Sequence, residues 1–246
     1  MSGRPVNATA VQQDIKLLKA MMTWATMVLD DGRPLLDRNP LLGFSVPREA
    51  NPRRPVIESE TVEKLMAVAE RVSPHMPLLI TLMDSTGRRL GSVVNLRWDD
   101  FDFERKTIRW RAEHDKKRKT WVVPMPKKAE QALLEFRAKH PVIGSTLVFP
   151  MKRDRSRTIG RHVAADWLKR AFRYAELQRP KGALWHTFRR KFATERKFFP
   201  LKDVAEAGGW KDVGTLLTCY QMADEETIRA VIDNPRPVQR PGTGRG

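Results

Sequence analysis

One cysteine, Cys219, stands in the whole chain. It has no partner for an internal disulfide, which excludes a disulfide-stapled scaffold and fits a reducing cytoplasm. Cys219 itself reads as a small buried residue beside Tyr220. Tyrosine is almost as scarce, with two copies. No apolar run approaches the ~20 residues that span a bilayer, so no transmembrane helix and no membrane partner are predicted. The first residues, Met1-Ser-Gly-Arg-Pro-Val-Asn7, hold no signal-peptide core. There is no Cys/His cluster with metal-ligand spacing and no Gly-rich phosphate loop of the Walker type, so neither metal nor cofactor is expected. Internal repeats are absent. Negative charge is in deficit: 29 Asp+Glu stand against 46 Lys+Arg, for a net charge of +17. That imbalance points to a polyanionic partner, with nucleic acid ahead of a membrane surface. At 246 residues the chain can form one sizeable domain and a smaller piece.

Residues 8–30 read as one amphipathic helix, with Val11, Ile15, Leu18, Met22, Ala25 and Leu29 at helical spacing. Asp30-Asp-Gly-Arg-Pro34 and Asn39-Pro40 are stops. Residues 46–55 are Pro-rich and basic, include Arg53 and Arg54, and read as an interdomain linker. Ser59 is the expected N-cap of a helix that buries Val62, Leu65, Met66 and Ala69 and ends at Ser73-Pro74. Residues 78–83 form a second apolar helical stretch. Residues 101–103, 107–111 and 121–124 are rich in aromatic and β-branched residues and read as short strands. A basic tip, Asp115-Lys-Lys-Arg-Lys119, joins the last two. A helix is predicted over 127–139, a short strand over 147–149, and a further helix carrying Val163, Trp167, Ala171 and Tyr174. Before that helix lies a basic loop with Arg153, Arg155, Arg157 and Arg161. Leu201, Val204 and Ala205 form a short helix closed by Gly208-Gly209. Leu216, Leu217 and Tyr220 share the next helix, and residues 224–232 form a last one before a flexible basic tail.

The densest motif is Leu184-Trp-His-Thr-Phe-Arg-Arg-Lys-Phe-Ala-Thr194. His186 and Arg189 lie one helical turn apart and share a face. Leu184, Phe188, Phe192 and Ala193 offer an apolar set for the opposite side. Trp210, after Gly208-Gly209, follows Arg189 by 21 residues, and Tyr220 comes ten later. Upstream stands Ser85-Thr-Gly-Arg-Arg-Leu-Gly-Ser92. Singly, each residue has a plain reading: a basic turn, a solvated helix face, a core tryptophan. As an ordered set they resemble the catalytic boxes of the tyrosine recombinases, the phage integrase family. That family shows T-G-x-R, a hairpin lysine, H-x-x-R, Gly followed by His or Trp, and Tyr roughly ten residues on. The spacing from Thr86-Gly87 selects Arg89 over Arg88 as the first arginine. The family's lysine lies eight residues before the hairpin's "VP" proline, which selects Lys116, with Lys117 and Lys119 as competitors. Where the family usually carries a carboxylate, Ser92 stands, and its support falls to another residue.

The resemblance implies a mainly α fold with a small antiparallel β-sheet (α+β). It also implies a partial core-binding segment over 1–45, a linker over 46–56, a catalytic domain over 57–233 and a tail over 234–246. With one helix where the family has a small domain, weak DNA binding and a shallow salt dependence are expected. The implied activity is site-specific recombination or integration of double-stranded DNA through a 3′-phosphotyrosine link, by a homotetramer in the prokaryotic cytoplasm at the nucleoid. Arg89 and Arg189 would neutralise the growing charge on the phosphate, since guanidinium groups are planar, always charged and able to grip two oxygens. Tyr220 would be the nucleophile. A free phenol titrates near ~10, and neighbouring guanidinium charge favours the phenolate. Lys116 would protonate the leaving oxygen, His186 would accept a proton or steady the phosphate, and Trp210 would offer its indole N–H. Arg53, Arg54, Lys117, Lys119, Arg153, Arg155, Arg157 and Arg161 are the expected backbone contacts. Two other readings stand beside this one. A type IB topoisomerase shares the chemistry but usually lacks the Gly-His/Trp spacing. An inactive DNA-binding remnant would suit Ser92 and the short N-terminal segment.

Overall fold

The computed structural model describes residues 8–45, 55–114, 120–140, 146–180, 182, 184–221, 223 and 225–233. Arg53, Arg54, Lys116, Lys117 and Lys119 lie outside them. The chain divides between residues 53 and 54 into two compact units.

In the first unit, α1 (Ala8–Ala25) stops well short of residue 30. The N–H and hydroxyl of Thr26 both turn back to the Thr23 carbonyl. A two-stranded hairpin follows, β1 (Leu29–Asp30) against β2 (Arg33–Pro34). Its turn residues, Asp31 and Gly32, have φ of 49° and 80°. Two positive φ values give the twist that a two-residue hairpin needs. Asn39 fastens the next bend onto α1, donating to Lys19 O at 3.1 Å and Thr23 Oγ1 at 2.8 Å.

The second unit is built around α3 (Met76–Thr86), whose Met76, Leu79, Ile80 and Leu82 are fully buried. Packed on it are α2 (Ser59–Val72), α5 (Lys127–Lys139) and α7 (Leu184–Glu195). The five-residue α4 (Leu90–Val94) follows α3, and α6 (Arg161–Tyr174) lies against α2 and α7. β3 (Phe101–Asp102), β4 (Thr107–Trp110) and β5 (Trp121–Pro124) form an antiparallel sheet in that order, with Ile108 opposite Val123 and Trp110 opposite Trp121. A smaller core of Phe192, Ala193, Val204, Ala205, Trp210 and Leu216 joins α7 to α8 (Leu201–Gly208) and α9 (Val213–Cys219). α10 (Glu225–Asp233) comes last.

Four local expectations change. Met66, expected on the buried side of α2, is exposed. Glu58, not Ser59, is the N-cap of α2, and the Ser59 hydroxyl instead donates to Glu195 at 3.3 Å. Residues 147–149 make no strand. Leu147 makes an isolated bridge to Arg97, and Pro150, just beyond, makes another to Thr158. Tyr220 caps α9 rather than lying on it.

His75, at the start of α3, sits against Phe136 with ring centroids 4.9 Å apart. Burial, then the charges of His140 and Arg155, push its pKa down to about 4. The folded state thus binds fewer protons than the unfolded chain between about 6.5 and 4, so this contribution is present above pH 6.5 and lost as pH falls through 4. After allowance for the solvent-facing part of the ring, the loss is on the order of 2 kcal/mol. Urea unfolding at pH 7 and pH 4.5 is expected to show a smaller drop in His75→Phe than in the parent. An identical drop would remove His75 from the acid response.

Candidate active site

α3 ends at Gly87, whose φ is 60°. A Cβ there would run into the Phe192 ring, so glycine is needed for both conformation and space. The turn sends two neighbouring arginines apart. Arg88 goes inward and is 4% exposed. Arg89 becomes the N-cap of α4 and stays exposed, lining a narrow cleft with Ser92, Arg111 and Arg189.

α7 is buried on more sides than its apolar set alone would cover. Thr187, Arg189, Arg190 and Lys191 are inside together with Phe188 and Phe192. Each cation has its own compensation. Lys191 Nζ meets Asp84 at 2.9 Å and Glu195 at 2.8 Å, binding α7 to α3. Arg190 donates to the Pro55 carbonyl at 3.1 Å.

Arg189, 1% exposed, donates to the carbonyls of Gly87, Gly208 and Gly209, the second at 2.5 Å. These are the carbonyls of two left-handed corners, at the ends of α3 and α8, so one guanidinium joins the Thr86-Gly87 turn to the Gly208-Gly209 corner. The expectation that Arg189 lies on a polar face opposite the apolar set is therefore corrected. Backbone carbonyls, not solvent, take its N–H groups. The Trp210 ring lies over the guanidinium at 3.6 Å, and the Tyr220 ring is 5.2 Å away. Trp210 and Tyr220 meet edge to face at 5.1 Å. Burial, then repulsion from Arg89, pushes the Arg189 pKa down to about 9, with the contact to Tyr220 acting in the opposite direction on the arginine. The group keeps its charge at neutral pH.

Arg189, Trp210 and Tyr220 thus come together, and Arg89 lines the same cleft as Arg189. His186 is half-buried one turn before Arg189 on α7. Arg189 Nε and Trp210 Nε1 are two of six buried side-chain donors that meet no acceptor among the described residues, and Trp110 Nε1, which lines the cleft, is another. Arg153, Arg155, Arg157 and Arg161 are exposed, the first three on the loop before α6. Arg161 crosses α4 so closely that a Cβ on Gly91 would meet its guanidinium at 2.7 Å.

Two features were not anticipated from the sequence. One is the buried Arg88. The other is a carboxylate pair on the sheet side: Asp100, 3% exposed, accepts from Arg111 Nε at 2.7 Å and from Arg109 Nε at 3.2 Å. Asp99 accepts from Arg111 at 2.9 and 3.0 Å. Burial works against the Arg111 charge, but the two carboxylates outweigh it and raise its pKa. In the cleft that Ser92 lines, the arginine held by carboxylates is Arg111. The alternation in Arg109-Trp110-Arg111 was the available signal.

A helical unit with a three-stranded sheet thus brings Arg89 and Arg189, from two boxes, to one cleft, with the Trp210 indole and the Tyr220 ring against the buried arginine. The chain belongs to the phage integrase family, whose model matches residues 55–227. It is 24% identical over 188 residues to a putative integrase/recombinase of Sinorhizobium fredii, covering 73% of this chain and 95% of that one. It is also 24% identical over 211 residues to the tyrosine recombinase XerD of Listeria innocua, covering 81% and 68%. Among solved structures, the XerH recombinase on its difH substrate, after cleavage, matches with a TM-score of 0.71 at 19% identity, over 94% of this chain and 66% of that one. The Tn1549 transposon integrase bound to transposon right-end DNA matches at 0.69 and 16% identity, over 93% and 79%.

Proposed function

We propose that this chain is a site-specific recombinase that cuts one DNA strand with Tyr220 and rejoins it to another. The observation that carries the reading is the stacking of Trp210 on the Arg189 guanidinium with the Tyr220 ring against both. Tyr220 Oη attacks the scissile phosphorus, the bond from phosphorus to the 5′-oxygen breaks, and a 3′-phosphotyrosine forms. The exposed Arg89 grips the phosphate oxygens. Arg189 supplies buried charge behind them, where low dielectric makes it count for more. The unmatched Trp210 N–H donates to one oxygen. His186 accepts the phenolic proton, and Lys116, between β4 and β5, protonates the leaving 5′-oxygen. The covalent link conserves the energy of the broken bond, so rejoining needs no ATP.

Double-stranded DNA is the partner, with Arg53, Arg54, Lys117, Lys119, Arg153, Arg155, Arg157 and Arg161 on its backbone. Four copies act on it together. In support, α10 leaves Val231 and Ile232 77% and 70% exposed, an apolar face suited to a neighbouring subunit. The exposed Leu17, Met21 and Trp24 of α1 suit a further helical partner for the first unit.

Lys116→Ala is expected to slow cleavage about 10²-fold on ordinary DNA and to cleave a substrate with a bridging 5′-thiol at nearly the parent rate, because a thiolate leaves without a proton. Rescue of Lys119→Ala in place of Lys116→Ala would move the acid to Lys119. Resolution of a synthetic Holliday junction by the parent chain separates recombinase from topoisomerase. Relaxation of supercoils without junction resolution would favour the latter.

A further inference from the structure

Arg88 has no part in the chemistry above, yet it is a buried arginine beside the exposed Arg89. Removing a guanidinium from water costs several kcal/mol unless its surroundings replace the lost contacts. Here they do. Arg88 Nε donates to the Ala207 carbonyl at 3.1 Å and one terminal nitrogen donates to the Glu206 carbonyl at 3.1 Å. Both carbonyls belong to the last turn of α8, the negative end of that helix. The guanidinium also lies over two indoles, 5.0 Å from the Trp110 ring and 5.4 Å from the Trp121 ring. Those tryptophans face each other across β4 and β5 and are the last pair before the connection that carries Lys116. The next residue after α8, Gly209, is packed so closely on Arg88 that a Cβ would collide with it.

We infer that Arg88 is a positioning residue that holds the base of the β4–β5 hairpin and the Gly208–Trp210 corner in fixed relation, so that the hairpin lysine and Trp210 reach one phosphate together. A point charge cannot do this. The two donors must diverge to adjacent carbonyls while a flat cation covers two rings, and only a guanidinium has both properties. The inference rests on the function proposed above.

The test is single-turnover cleavage of a nicked duplex by the full chain, with an ordinary or a bridging 5′-thiol leaving group, for the parent, Arg88→Met and Arg88→Lys. Both variants are expected to cleave the ordinary substrate at least 10-fold more slowly, with DNA affinity within about threefold of the parent. On the thiol substrate most of the loss should vanish, because misplacement of the hairpin acid no longer matters. Trp121→Leu, which removes one of the two rings and keeps the arginine, should show the same selective rescue and replaces Arg88→Met if that variant does not fold. Parent-like cleavage of both substrates by Arg88→Met would overturn the inference. So would an equal loss on both, which marks a purely structural role, and so would full recovery in Arg88→Lys, which marks a role for charge alone. If the parent itself forms no covalent complex, the recombinase reading fails first; if it does and the variants match it, only Arg88 is misassigned.

Discussion

Tyr220→Phe is expected to abolish covalent capture of a nicked suicide duplex while leaving DNA affinity within about twofold. The substitution removes one oxygen and keeps the ring that packs edge-on against Trp210, so the site keeps its shape. The second tyrosine, Tyr174, is the internal control. It too is surrounded by cations: Arg71 lies over its ring at 4.7 Å, and hydrogen bonds from Arg170 and then the charge of that group lower its pKa. Cationic surroundings alone would make Tyr174 a candidate. It lies on α6, however, with neither Trp210 nor Arg189 against it, so Tyr174→Phe should retain full capture. Denaturing gels of protein mixed with end-labelled DNA report both results, and loss of the shifted band in Tyr174→Phe instead would move the nucleophile.

The two assigned arginines are expected to fail in different ways when each is replaced by lysine. Arg189→Lys should lose both stability and activity. A lysine brings one ammonium to a place where a fork now reaches three carbonyls, so buried acceptors at the ends of α3 and α8 go unmet. The cost is about 3 kcal/mol, or roughly 6–12 °C in melting temperature for a chain of this size. Cleavage should fall at least 10²-fold as the Trp210 stack loosens. Arg89→Lys should melt within about 2 °C of the parent, because Arg89 is exposed. Its cleavage should still fall about 10²-fold, since a single ammonium cannot hold two phosphate oxygens. Calorimetry and single-turnover cleavage measured on the same preparations decide the matter. Equal melting of both variants would contradict the buried role of Arg189.

Where a segment's own periodicity decides its structure, the sequence was legible. α5 was placed at both ends from Ala129, Leu133, Leu134 and Phe136, of which all but Leu134 are buried. The three strands were placed because aromatic and β-branched residues cluster there, and the ordered boxes led to the family. Long-range pairing was not legible. Ser59 has the chemistry of a cap, but its hydroxyl prefers a carboxylate 136 residues away. Arg189, Arg190 and Lys191 look like a solvated face until the sequence-distant carbonyls and carboxylates that meet them are known. The hairpin that follows α1 turns on Asp31 at positive φ, which an aspartate can adopt but does not advertise. Choosing Arg89 over Arg88 by spacing separated an exposed arginine from a buried one, but gave Arg88 no role of its own.

The contact between Arg88 and Gly209 ties two positions into one heritable unit. Gly209 answers two demands, a φ of 70° and the guanidinium pressed against its α-carbon. A lineage that exchanged Arg88 for a small apolar residue would relax the second demand and keep the first. One that first gained a side chain at 209 would displace the arginine from two carbonyls and two indoles at once. The order of substitution therefore matters: change at 88 opens 209 to the few residues that tolerate left-handed backbone, such as asparagine, whereas change at 209 first meets a barrier. Drift in this corner of the molecule is channelled along one path, and a mutational library that varies the two positions separately will miss the combinations that vary them together.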